Sequence, residues 1–80
     1  MNIASIRQLA DTYTTEQLQQ AEAALLNEET VMIEVPGVDE GEQLTHLIAA
    51  LWVRAHKQSH GVDTLTAVRE YTKRVRESIS

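Results

Sequence analysis

Apolar residues recur along the chain at intervals of three and four, the repeat of helices that turn one face away from water. Ile3, Ile6, Leu9, Ala10 and Tyr13 form the first stripe, behind Asn2, whose short polar side chain suits a helix cap. A second helix is predicted from near Thr15 to Asn27–Glu29, with Leu18, Ala21, Leu25 and Leu26 as its apolar positions. Its start carries two signals: Thr14 and Gln17 have capping-box spacing, and Tyr13 with Leu18 fits a hydrophobic staple.

From Thr30 to Val35 the pattern changes to a short β-branched run, closed by Pro36-Gly37, the pair a type II turn takes at its centre. A lone strand leaves its backbone groups unpaired, and the chain holds no second strand-like run. Residues 31–35 are therefore either an extended segment paired with its own copy across a dimer or an irregular apolar linker packed on the helices.

Asp39, three residues before Glu42, opens a long third helix that should run to about Ser59, before Gly61. Leu44, Leu47, Ile48, Leu51 and Ala55 line one face with Trp52 on the flank, while Ala49, Ala50 and Val53 occupy the side where water-facing residues would be expected. A helix apolar nearly all round is covered on several sides. Here that implies a central position, a homo-oligomer contact, or both. Asp63 then caps a fourth helix whose stripe is Leu65, Val68, Thr72, Val75 and Ile79. The predicted fold is mainly α, a small four-helix domain spanning 1–80 with the one extended segment.

Size and composition narrow the chemistry. A chain of 80 residues has a thin core, and a partner is one remedy. The absence of cysteine removes disulfides, thiolate metal sites and thiol catalysis. No basic-then-apolar leader opens the chain and no apolar run reaches the length of a bilayer span, so a cytoplasmic protein away from the membrane is expected. The net charge of −5 is uneven: residues 1–53 set Arg7 alone against nine acidic side chains, whereas residues 54–80 carry six basic against three acidic. Both halves keep their apolar periodicity, so the split reads as charge complementarity within or between chains rather than as a tail.

Candidate functional residues are few. His56 and His60 have the four-residue spacing of zinc-binding helices, but Lys57, Gln58 and Ser59 between them include no glutamate for hydrolysis, and His46 lies about 80° round the helix from His56. Interaction with the negative end of the helix dipole accounts for the pair. Glu34, Asp39, Glu40 and Glu42 lack calcium-loop spacing. No framed serine, local Ser/His pairing or glycine-rich phosphate loop occurs, so neither an enzyme nor a cofactor is expected. Arg69, Lys73 and Arg76 share a face of the last helix, the one basic stripe able to meet phosphate, yet helix pairs such as Glu70–Arg74 and the acidic balance argue against nucleic acid. Trp52 is either core filler between helices or the anchor of a candidate interface made with Met32, Ile33, Ala49 and Val53.

Ala67 to Ile79, with the preceding Glu40-to-His56 helix, resembles a family of short, uncharacterised bacterial helical proteins over about half the chain, most distinctly at Lys73-Arg74-Val75 and Ser78-Ile79. The resemblance implies a cytoplasmic helical protein of unknown function and transfers no site residue. The function expected from the residues is that of a homo-oligomeric, dimeric structural or protein-interaction module. The alternatives are a nucleic-acid-binding regulator using the basic helix and a metal-binding module at His56 and His60.

Overall fold

The computed structural model describes residues 2–79, of which four helices take the greater part: α1 (Ile3–Thr12), α2 (Thr15–Leu26), α3 (Glu40–His60) and α4 (Thr64–Ile79). Each begins at the cap its sequence marks. Asn2 Oδ1 accepts the Ala4 N–H at 2.9 Å. Thr14 and Gln17 close a reciprocal box, with the Gln17 N–H on Thr14 Oγ1 at 3.1 Å and the Thr14 N–H on Gln17 Oε1 at 2.9 Å. Asp39 accepts the Glu42 N–H and Asp63 the Thr66 N–H, both at 2.8 Å. These bonds satisfy N–H groups that the first turn of a helix leaves without a partner. At its other end α3 stops on Gly61, whose φ of 64° is the left-handed conformation that glycine enters without penalty.

The Asp63 cap has a pH signature. Thr66, through its side chain and then its backbone, holds the Asp63 carboxyl below the usual range, with Arg69 and Arg7 adding in the same direction. A carboxyl depressed on folding contributes stability that is complete above its unfolded pKa and is lost as pH falls through the folded value. Asp63→Ala should therefore be less stable than the parent at neutral pH, with the difference closing below the carboxylate range. Thermal melts of both proteins between neutral and acid pH check this.

α3 packs against all three other helices, and α1 also meets α4. The core comprises Ile6, Leu9 and Ala10 of α1, Leu18 and Ala21 of α2, Leu47, Ala49, Ala50 and Val53 of α3, and Ala67 and Val68 of α4. The central position expected for α3 is thus found, but with the buried arc turned: Leu47 of the predicted face stays inside, and the rest of that face gives way to the side expected to be wet. The side carrying Ala49, Ala50 and Val53 is completely buried, whereas Ile48 is 47% exposed, Ala55 is exposed, and Leu44 and Leu51 are half-buried. Small side chains let neighbouring helices approach closely, and how near two helix axes come depends on the residues between them. With three helices crowded around one, the alanine face is the one that fits. The Ile79 side chain, last in the predicted α4 stripe, lies outside the described residues.

Residues 31–35 form no strand, and among the described residues none occurs. The paired-strand alternative gives way to the irregular linker. Val31, Ile33 and Val35 pack against the core while Met32, 89% exposed, and Glu34 point away, so the segment keeps the alternation of a half-buried strand without its ladder. At Gly37, with φ 149°, a Cβ would stand 2.9 Å from the Gln43 backbone nitrogen, which leaves room for glycine alone. The linker is held from α3: Gln43 Nε2 donates to the Val35 carbonyl at 3.3 Å, and His46 Nδ1 lies 2.8 Å from the Pro36 carbonyl.

His46 is the buried polar centre of this arrangement, 1% exposed. Its Nε2 accepts the Asn2 N–H at 3.0 Å. A carbonyl can only accept and a backbone N–H can only donate, so these partners fix the tautomer with the proton on Nδ1. One ring thus ties the start of α1 and the linker to the central helix. About two turns further along α3, Arg54 donates to the Ala10 carbonyl at 2.7 Å and to Thr15 Oγ1 at 3.0 Å, satisfying a terminal carbonyl of α1 at the turn into α2. Lys57 donates to the Thr64 hydroxyl at 2.6 Å, and that hydroxyl donates to Asp11, joining α3, α4 and α1. Among the described residues, no buried side-chain nitrogen or oxygen lacks a partner.

Candidate interaction surface

The turn of the buried arc on α3 leaves a partly exposed apolar seam. Leu44, Ile48, Leu51 and Ala55 follow one another at intervals of four, three and four, the spacing at which a helix presents a straight seam to a partner helix. None of the four is charged. At its N-terminal end the seam continues into Leu26 of α2, 64% exposed, through a shallow pocket lined by Leu25, Leu26, Glu28, Glu40, Gly41 and Leu44. At the other end a ladder of rings flanks it: Trp52 stacks on His56 at 4.7 Å between centroids, and His56 on His60 at 4.0 Å. Tyr71 of α4 tilts against the indole at 5.5 Å, and the Arg74 guanidinium sits 5.4 Å from its centroid, within cation–π range.

The two ends differ in charge. Asp39, Glu40 and Glu42 surround the start of α3. Arg74 and the two histidines stand beside its finish. This follows the acidic and basic halves of the sequence, now set about 30 Å apart along one helix of 21 residues.

A second surface lies between α1 and α4. Ile3, Leu65, Val68 and Thr72 floor an open groove with a volume of about 510 Å3, edged by Arg69, Lys73, Arg76 and Glu77. The predicted basic stripe is therefore the rim of an apolar groove. Arg74, one step off that face, pairs with Glu70 at 3.3 Å.

The structure divides the predicted interface set. Ala49 and Val53 are core residues at 0% exposure, Ile33 packs on the core from the linker, and Met32 stands out in water. Trp52 is half-buried and touches both the core and the ring ladder. The five do not form one patch, because Ala49 and Val53 lie across α3 from the seam. His56 and His60 come together, but as stacked rings, and His60 Nδ1 is already within 2.8 Å of Ser59 Oγ. Among the described residues, no three His, Asp or Glu side chains are grouped as metal ligands. No described helix is long and apolar enough to cross a membrane.

His46 escaped the sequence reading as a structural residue. The signal is its position, on one arc with Leu47, Ala50 and Val53, which marks a buried ring rather than a ligand paired with His56.

Comparison with protein families matches residues 1–80 to a family of unknown function (DUF6952), and the chain belongs to that family. The family likeness therefore runs through the whole chain, where the sequence reading had confined it to the C-terminal half. No curated protein and no solved structure matches the chain.

Proposed function

We propose that this member of the DUF6952 family is a protein-interaction module that works as a homodimer, with two copies of α3 packed antiparallel across a two-fold axis. The observation that supports this reading is the seam Leu44, Ile48, Leu51 and Ala55: Ile48 and Ala55 are exposed and Leu44 and Leu51 only half-buried, so an uncharged row of the central helix stays partly in water. Exposed apolar area of this kind is removed from water at roughly 25 cal/mol per Å2 when a partner covers it.

A second copy suits the surface in charge as well as in shape. In the antiparallel arrangement the Asp39–Glu42 end of one α3 meets the Arg74 and His60 end of the other, twice over, and the two helix dipoles oppose. A stable interface takes about 800 Å2 from each partner. That is a modest share of the 5297 Å2 this chain exposes.

The expected mass by light scattering after size exclusion is about 18 kDa, twice the 9.0 kDa of the chain. Ile48→Asp places two like charges near the axis and should return the protein to its single-chain mass with the helical content retained. A parent protein that is monomeric at all concentrations, with Trp52 fluorescence unchanged on dilution, would sink the proposal.

A further inference from the structure

We propose that the α1–α4 groove is a docking site for an acidic amphipathic helix of a partner protein. The occupant is argued from the shape and charge of the site together. The floor of Ile3, Leu65, Val68 and Thr72 requires an apolar stripe. Ile3 and Leu65 remain 49% and 36% exposed in this chain. Along the rim, Arg69, Lys73 and Arg76 recur at four and three residues and extend over roughly 10 Å of α4, outnumbering the one acidic side chain there, Glu77. Among the described residues, Lys73 and Arg76 form no ion pair, in a chain whose net charge is −5.

A row of cations beside an apolar trough matches a row of carboxylates beside an apolar stripe, the arrangement of a helix seated in a groove. A single-headed anionic amphiphile would engage one end of the row and leave the others unused. Nucleic acid would meet the cations but would find no aromatic side chain lining the groove on which a base can stack. The α3 seam, uncharged along its length, offers no such pattern, so the two surfaces select different partners.

The test uses the full chain and two fluorescent synthetic helices of about 16 residues. Both carry leucines at three- and four-residue intervals; one has glutamate on both flanks, its twin lysine. The glutamate peptide is expected to bind and to shift the amide resonances of Ile3, Leu65, Val68 and Thr72. Lys73→Glu combined with Arg76→Glu should weaken binding at least about tenfold, as should Leu65→Gln, and added salt should weaken it too. All three substituted positions are exposed, and thermal melts verify that the variants fold. Ile48→Asp should leave peptide binding intact, which separates this result from the fate of the dimer. The proposal is overturned if neither peptide binds, if the lysine twin binds as well, or if the shifts fall on the α3 seam. It is equally overturned if the groove resonances shift on raising the concentration of the chain alone, or if duplex DNA or anionic vesicles occupy the groove while the glutamate peptide does not.

Discussion

Leu47→Ala should cost about 2–5 kcal/mol, whereas Ile48→Ala, one residue further along α3, should cost less than about 1 kcal/mol in the single chain. Leu47 is fully buried at the helix that all the others pack against, and removing its side chain leaves a cavity that three neighbours cannot collapse to fill. Ile48 is nearly half exposed, so its truncation removes little buried area. A domain of this size is stable by about 5–10 kcal/mol, so the first variant gives up a large share of the whole. Urea unfolding below the concentration at which copies associate should show the contrast. At higher concentration Ile48→Ala should lose stability relative to the parent, because the proposed dimer would cover the seam there. Equal costs for the two substitutions in the single chain would mean that α3 is turned the other way.

The second large effect belongs to His46. His46→Leu keeps apolar volume near its place but removes the donor to the Pro36 carbonyl and the acceptor for the Asn2 N–H, for an expected loss of about 2–4 kcal/mol. Amide hydrogen exchange should quicken first in the opening turn of α1 and in residues 31–38, the two segments the ring holds, before the core of α3 is affected. His46→Gln, which retains one donor and one acceptor on a shorter reach, should fall between the parent and His46→Leu. A uniform rise in exchange over all four helices would instead assign His46 a packing role only.

Some of these features were legible in the sequence and some were not, for identifiable reasons. The candidate basic face could be read from Arg69, Lys73 and Arg76, since residues three and four apart on one helix share a side. That this face borders an apolar trough could not, because the trough's floor includes Ile3, at the other end of the chain. The proposed interface set failed as a patch for the same cause: Ala49 and Val53 were counted as surplus apolar residues when they are the residues that admit the neighbouring helices. The extended segment was ambiguous because alternation reports which side chains face the protein, and Val31, Ile33 and Val35 satisfy it against helices as well as they would in a sheet.

The sequence by itself determined the four helices, their caps and their ends. Those features are set by bonds between residues three or four apart, such as Thr14 with Gln17 and Asp39 with Glu42, and by a periodicity contained within each segment. The tertiary structure alone decided which side of α3 is inside. That side was chosen by how closely α1, α2 and α4 can approach, and is held by bonds such as Asn2 to His46 and Arg54 to Ala10, each spanning 44 positions of the chain. Apolar periodicity marks a stripe as able to be buried. On a helix apolar on both sides, packing took the arc of His46, Leu47, Ala49, Ala50 and Val53 for the interior, and the thin core inferred from 80 residues leaves a partly exposed seam outside it.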